Sequence, residues 1–99
     1  MASRKDGALI KQVLVKGLNH LKKTPQIAVI KSGVGDNLHV YILSDSFSRL
    51  SLTKRHELVE GILQRELDHE TLLKISALFV LTTKEADGFF PNKFEKTSP

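Results

Sequence analysis

The 99-residue chain contains no cysteine and no tryptophan, and it has only three prolines and one tyrosine. Without cysteine it can form no disulfide, and it offers no thiolate to a metal ion or a substrate. No apolar run approaches the roughly 20 residues that cross a bilayer, and no secretory leader pattern follows the first residues. We therefore expect an intracellular protein, cytoplasmic rather than organellar, that does not act at a membrane.

The rest of the composition is that of one globular domain, with 40% apolar and 26% charged residues. The net charge of +4 is concentrated at the start, because residues 1–25 hold six basic residues and one acidic residue. A basic segment attracts phosphates or another anionic partner. Lysines are more commonly the solvated face of a helix, and the sequence leaves both interpretations open.

Apolar residues at helical spacing predict a first helix with one buried stripe. Asp6 is its expected N-cap, and Thr24–Pro25 is its expected end because proline disfavours helical geometry in the residue before it. Gly17 inside this helix predicts close packing against another element. The stripe consists of Leu9, Ile10, Val13, Leu14, Leu18 and Leu21.

Two β-rich runs, Gln26–Lys31 and Leu38–Leu43, lie on either side of a turn cluster at residues 32–37. Their spacing predicts an antiparallel hairpin. The cluster contains Gly33-Val34-Gly35, which resembles part of a phosphate-binding loop. Such loops lead into a helix whose N-terminus binds the phosphate, and no helix follows here. That function is therefore excluded for the hairpin loop.

A second helix is expected to start at Ser51 or Thr53 and to run to about Leu67. A polar loop is expected after it, at Asp68–Thr71. The next elements are a third β run at about Leu73–Thr82 and one helical turn at Lys84–Asp87. The order α-β-β-α-β is typical of an α+β fold in which helices cover one face of a small three-stranded sheet. We expect a single domain over residues 1–88 and a tail over 89–99.

No catalytic set is recognisable in the sequence. A nucleophile needs an adjacent base, and an acid–base pair needs titratable groups held in a cleft. The serines cluster in predicted turns, and Glu57, Glu60 and Glu66 belong to a solvated helix face. We expect a protein that is not an enzyme.

From the second β run onward, the chain resembles the BolA-like family. The similar segments are Leu38–Phe47, which ends in Ser-Asp-Ser-Phe, Leu50–Val59 with its Arg-His pair, Gln64–Leu67, and Ile75–Thr82. The resemblance implies a fold like a type II KH domain with a small mixed sheet. It also implies a non-enzymatic adaptor that binds a monothiol glutaredoxin and acts in iron–sulfur cluster handling or iron regulation. Bacterial members of the family are also linked to DNA binding.

The resemblance further implies a 2Fe-2S cluster shared with the glutaredoxin and glutathione, and none bound by the isolated chain. The family contributes a histidine at the start of the third strand and a histidine or cysteine from the hairpin loop. This sequence departs at both places, because Ser76 stands at the strand and the loop Gly33–Asn37 has neither residue. We therefore expect altered cluster ligation, in which His69 enters the same space from the preceding loop.

The Arg55-His56 pair matches the family pattern and is expected to form a partner-binding surface with Ser76 and Ala77 at the start of the third strand. His56 is then a reserve ligand beside His69. The alternative is that His56 is structural and fixes the preceding loop by hydrogen bonds to backbone. Alone, the chain is expected to be a monomer or a weak homodimer.

Strand alternation predicts an apolar and aromatic patch on the sheet face away from the helices. It consists of His39, Tyr41, Leu43, Phe79 and Leu81. The sequence leaves open which of three things covers this patch. It is the tail (with Phe89, Phe90 and Phe94), another protein or a second copy of the chain, or the bases of a nucleic acid. The last gives an alternative function, a KH-like nucleic-acid-binding or transcriptional regulatory module that uses Lys11, Lys16, Lys22, Lys23, Tyr41 and Phe79.

Overall fold

The computed structural model of this protein describes residues 4–31, 33, 35 and 37–89. Side chains are described for residues 6–31, 33, 35 and 37–86. The elements are α1 (Arg4–Gly17), β1 (Gln26–Lys31), β2 (Leu38–Leu43), a 3₁₀ helix (Asp45–Arg49), α2 (Leu52–Glu66), α3 (His69–Leu73), β3 (Ile75–Leu81) and α4 (Thr83–Phe89).

The sheet has the order β1-β2-β3, with β2 in the centre. β1 pairs with β2 antiparallel, and β2 pairs with β3 parallel. The predicted hairpin is confirmed, and both of its strands have the predicted ends. Their β-branched residues fit a pleated, half-buried surface. The predicted α+β class with a small mixed sheet is confirmed as well, while the likeness to a KH domain stays a prediction.

Alternation along the strands separates the two faces of the sheet as predicted. Val40 and Ile42 of β2 and Val80 of β3 are fully or almost fully buried in the core against α1 and α2. The aromatic residues of the two strands contact one another on the opposite face. The largest fully buried side chains are Phe47, Ile10, Leu14, Leu18, Ile42, Val40, Val59 and Val80.

The first helix differs from the prediction at both ends. Asp6 lies within α1 instead of capping it, and its carboxylate accepts a hydrogen bond from the Lys74 ammonium group at 3.0 Å. The helix ends at Gly17, well before Pro25. Gly17 packs closely against α2 at this end, since a Cβ on Gly17 would lie 2.5 Å from the Ile62 Cγ2. The prediction of a closely packed glycine is confirmed, but the predicted N-cap and the predicted end were wrong.

Ser51 is the N-cap of α2, and its hydroxyl accepts from the Lys54 amide at 3.2 Å. The loop predicted at Asp68–Thr71 is wrong, because α3 begins there. The Asp68 carboxylate accepts from the Thr71 amide at 2.8 Å and caps this short helix. α3 therefore moves the start of β3 to Ile75.

α4 begins at a reciprocal cap. The Thr82 amide donates to the Glu85 carboxylate at 2.8 Å, and the Glu85 amide donates to the Thr82 hydroxyl at 3.2 Å. This capping box satisfies two donors at the start of the helix. α4 runs to Phe89, one residue beyond the predicted domain boundary. Within the part of the chain that the structure describes, no helix is long and apolar enough to cross a bilayer.

Candidate partner-binding site

A groove of about 410 Å³ lies between α2, α3 and the beginning of β3. α2 contributes its C-terminal half and β3 its first residues, while α3 closes one end. Its lining is mainly apolar and includes Leu73, whose side chain is 67% exposed. The lining residues are Glu60, Leu63, Gln64, His69, Leu72, Leu73, Ile75, Ser76, Ala77 and Leu78.

The groove brings together three of the predicted site residues, His69, Ser76 and Ala77. His69 is the first residue of α3 and is exposed. The preceding residue, Asp68, caps that helix, and its hydrogen bond from Thr71 lowers the pKa of its carboxyl. The cap therefore fixes the backbone that carries the imidazole. His69 was predicted to enter the space of Ser76 from a loop, and it lines the same groove from a helix.

Ser76 lies in β3 beside an irregularity in its pairing with β2, where the register shifts between Leu38 and His39. Its side chain is exposed to the groove, and its hydroxyl donates to the Leu38 carbonyl at 3.4 Å. A serine hydroxyl engaged in this way is a poor ligand for iron. His69 is thus the one imidazole among the lining residues.

Arg55 does not line this groove. Arg55 is only 5% exposed, and its guanidinium lies between the start of α2 and the end of β3. Nε donates to the carbonyls of Phe47 and Leu50, each at 3.0 Å, and Nη1 donates to the Val80 carbonyl at 3.3 Å. The expected surface that combines Arg55 with the start of β3 is therefore not formed, because the Arg55 guanidinium is hydrogen-bonded inside the domain.

The Arg55 guanidinium also forms an ion pair with Glu85 of α4. Nη1 lies 2.7 Å from Oε1, and Nη2 lies 3.4 Å from Oε2. The hydrogen bond from Arg55, with the backbone bond from Thr82, holds the pKa of Glu85 below its ordinary value. Arg55 thus joins four parts of the chain: the 3₁₀ helix, the start of α2, the end of β3 and α4.

His56 is half-buried and does not line the groove. It lies one helical turn before Glu60 and two turns before Gln64, so these residues share one face of α2. Its predicted roles in partner binding and as a reserve ligand stay predictions. Among the described residues, no group of three or more histidines or acidic residues could hold a metal ion.

The sheet face away from the helices carries the predicted aromatic cluster. The rings of Tyr41 and Phe79 stack with centroids 4.8 Å apart, and the His39 ring meets each of them edge-on at 6.4 Å. Tyr41 and Leu43 are each only 4% exposed. This part of the face is therefore covered, and Tyr41 does not present its ring to a nucleic-acid base. The predicted covering by the tail involves Phe90, Phe94 and the Phe89 side chain, which lie outside the described residues.

The lysines predicted to bind nucleic acid are divided between separate surfaces. Lys22 and Lys23 line a hollow beside the 3₁₀ helix, whereas Lys16 lines a different hollow between α1 and α2. Lys11 is exposed on α1. A nucleic-acid backbone is bound by basic groups that follow one track. This division does not favour the alternative function.

Among the lining residues that the sequence did not predict for the site, three are exposed: Glu60, Gln64 and Leu73. Glu60 and Gln64 have the polar character of a solvated helix face, and nothing in their spacing indicates a groove. Leu73 was assigned to a strand, where an apolar residue is expected. The Asp68 cap signal before His-Glu-Thr could have revealed α3, and with it the exposed position of Leu73.

Three solved structures are similar to this chain in fold. BolA1 from Arabidopsis thaliana has a TM-score of 0.53 and 23% identity, with 81% of this chain and 94% of that chain covered. A bol-like protein from Babesia bovis has a TM-score of 0.52 and 21% identity, with 83% and 90% covered. The BolA domain of SufE1 from Arabidopsis thaliana has a TM-score of 0.51 and 26% identity, with 86% and 98% covered.

No family model matches the sequence, and no curated protein is significantly similar to it. The structural matches extend over at least 81% of the chain. They agree with the resemblance carried by the second strand, the Arg-His helix and the third strand. The resemblance is thereby confirmed: this chain has the BolA-like fold.

Proposed function

We propose that this protein is a non-enzymatic adaptor that binds a monothiol glutaredoxin through the groove between α2, α3 and β3. The observation that carries the proposal is the presence of His69 and Ser76 in one exposed groove at the start of β3. The BolA-like fold supports the choice of partner, because the family resemblance implies glutaredoxin binding at this end of the third strand.

The shape and polarity of the groove suit a protein partner. Its lining is mainly apolar, and Leu73 exposes two-thirds of its surface there. Exposed leucines at a concave site supply binding energy when a partner removes them from water. Glu60, Gln64 and His69 supply polar groups around this apolar centre. The groove therefore combines an apolar anchor with polar residues that can orient the partner.

The donor set fits a cluster for which this chain supplies one ligand. His69 would hold one iron through a neutral imidazole nitrogen, a ligand that suits iron. The glutaredoxin and glutathione would supply the thiolates, since this chain has no cysteine. Such a cluster provides electron or cluster transfer, and a histidine in place of a thiolate raises its reduction potential. Ser76 contributes no ligand, which is the altered ligation expected from the sequence.

The first experiment titrates the full chain with a purified monothiol glutaredoxin, glutathione, iron and sulfide, and follows visible absorbance and circular dichroism. We expect a complex whose cluster bands change with His69→Ala and are unaffected by His20→Ala, the matched control outside the groove. Ser76→His is expected to strengthen cluster retention. If neither the cluster-loaded nor the cluster-free glutaredoxin forms a complex, the proposal is wrong. If His69→Ala leaves the bands unchanged, only the ligand assignment fails.

The second experiment measures cluster-free binding by calorimetry with two leucine variants. Full burial of a leucine contributes about 1.5–3 kcal/mol, so burial of the two-thirds that Leu73 exposes contributes about 1–2 kcal/mol. Leu73→Ala should therefore weaken the complex roughly 5- to 30-fold. Leu52→Ala removes the same atoms from a residue that is 59% exposed outside the groove, and it should change the affinity less than about twofold. Equal effects of the two variants would rule out this groove as the docking surface.

A further inference from the structure

A second concave site lies on another part of the molecule, between the chain that follows α1 and the 3₁₀ helix. The hollow has a volume of about 420 Å³. It does not share any lining residue with the glutaredoxin groove proposed above. Its lining residues are His20, Leu21, Lys22, Lys23, Asp45, Ser46, Ser48 and Arg49.

The two walls of this hollow are joined by hydrogen bonds between residues that are distant in sequence. The Lys23 amide donates to the Ser46 hydroxyl oxygen at 3.1 Å. The Ser44 hydroxyl donates to the Lys23 carbonyl at 3.0 Å, and the Ser44 hydroxyl oxygen accepts from the Ser46 amide at 3.1 Å. Ser44 is 3% exposed, so this connection is built into the domain. The backbone of Lys23 is thus fixed before any ligand arrives.

Three cationic side chains converge on the hollow from these two walls. Lys22 and Lys23 come from one wall and Arg49 comes from the other, and all three are exposed. Asp45 is the one carboxylate in the lining, and its Oδ1 accepts from the Thr83 amide at 3.1 Å and from the Thr83 hydroxyl at 2.7 Å. Hydrogen bonds from Thr83 and, to a smaller extent, the charge of Lys23 lower the pKa of Asp45, so this carboxylate offsets part of the positive charge of the hollow. The hollow keeps an excess of positive charge.

We propose that this hollow is a binding site for the phosphate group of a small phosphorylated molecule. A guanidinium binds phosphate oxygens through its planar fork of donors, and lysines add charge without a fixed geometry. Ser48 and His20 add further polar residues to the lining. A volume of about 420 Å³ also accommodates a ligand larger than phosphate alone.

The arrangement of charge favours a small ligand over a nucleic-acid strand. The basic residues surround one concave site, whereas a strand is bound by cations spread along a continuous track. Lys16 does not extend this site, because it lines another hollow together with Arg65 and Glu66. The inference does not depend on the proposed adaptor function.

The test is a nuclear magnetic resonance titration of the isotope-labelled full chain at constant ionic strength near 0.15 M. The probes are inorganic phosphate and glycerol 2-phosphate, with sulfate and chloride as comparison anions. We expect the amide signals of Lys23 and Ser46 to shift with the two phosphates at concentrations where chloride has no effect. A single-stranded oligonucleotide forms a separate arm.

Two double variants with the same change of charge provide the control. Lys22→Ala with Lys23→Ala should weaken phosphate binding at least about tenfold, because it removes charged donors at the site. Lys11→Ala with Lys16→Ala should change the affinity for phosphate less than about twofold, since lysines outside the hollow are screened from the bound phosphate at this ionic strength. Equal losses in both variants, or shifts that chloride reproduces, would overturn the proposal. Binding of the oligonucleotide without binding of either small phosphate would overturn it in favour of nucleic acid.

Discussion

The buried Arg55 offers the sharpest test of how this fold is held together. Its guanidinium donates to the carbonyls of Phe47, Leu50 and Val80 and pairs with the Glu85 carboxylate. Arg55→Ala removes every one of these donors at once. We expect the variant to lose stability without any partner present, because the residue is committed inside the domain.

The magnitude follows from the acceptors that the substitution leaves behind. A hydrogen bond to a charged group contributes about 1.5–3 kcal/mol. The single Nε hydrogen is shared between the Phe47 and Leu50 carbonyls, and the Val80 carbonyl and the Glu85 carboxylate also lose their donors. Water that enters the vacated volume recovers part of this sum. Because the Glu85 side chain is partly exposed, the cost comes mainly from the carbonyls that lose their donors, and we expect the unfolding free energy to fall by about 2–4 kcal/mol for Arg55→Ala. This is a large share of the roughly 5–15 kcal/mol that stabilises an ordinary domain.

The partner of the ion pair provides the matched control. The Glu85 side chain is 38% exposed, so water screens its charge. Glu85→Gln keeps the shape and an oxygen acceptor, and it should cost about 1 kcal/mol or less. The assay is urea unfolding followed by circular dichroism, since the chain has no tryptophan. A loss below about 1 kcal/mol for Arg55→Ala, or equal losses for the two variants, would refute the assignment of a buried structural role.

Two further predictions concern packing and acidity. Gly17→Ala should destabilise the protein by about 1–3 kcal/mol in thermal unfolding, because the new Cβ would lie 2.5 Å from Ile62. Gly61→Ala is the control: its Cβ would have only a side-chain nitrogen 4.0 Å away, and the variant should be more stable by up to about 1 kcal/mol. Equal effects of the two variants would contradict the close contact between the helices. Hydrogen bonds lower the pKa values of Glu85 and Asp45 in the folded state, so their stabilisation is complete above the pKa of the unfolded carboxyls and is lost as the pH falls through the lowered values. Urea unfolding should therefore show lower stability below about pH 4, with a smaller loss on acidification for Glu85→Gln, and an unchanged acid dependence in that variant would argue against the ion pair.

The strands of the hairpin were predictable because their signals are local. Gln26–Lys31 and Leu38–Leu43 are short runs rich in β-branched or apolar residues, and turn residues lie between them. The end of α1 was not predictable in this way. Proline at position 25 is a strong local signal, but the helix ends at Gly17, a residue type of low helix propensity that packs here against Ile62. The apolar spacing continues past this glycine to Leu18 and Leu21, so the pattern placed the end of the helix too late.

The candidate site was only partly predictable. His69 and Ser76 are close in sequence, and their expected proximity is found in the groove. Arg55 is different, because arginine is rarely buried and its acceptors come from three separate segments: the 3₁₀ helix with its C-cap, β3 and α4. No sequence pattern announces that these acceptors converge. Leu73 was misplaced for a similar reason, since a five-residue helix is too short for apolar periodicity to reveal it.

The parallel pairing of the central and last strands has a consequence for how the chain folds. β1 and β2 can pair as soon as their turn has formed, but β3 reaches β2 only after α2 and α3 have crossed over the sheet. Until then one edge of β2 has unpaired backbone groups, and such an edge is a template for association with another chain. A nascent or truncated chain that stops before Ile75 would therefore be prone to aggregate through this edge of the central strand. The final strand covers that edge, and the outer edges of β1 and β3 remain in the complete sheet.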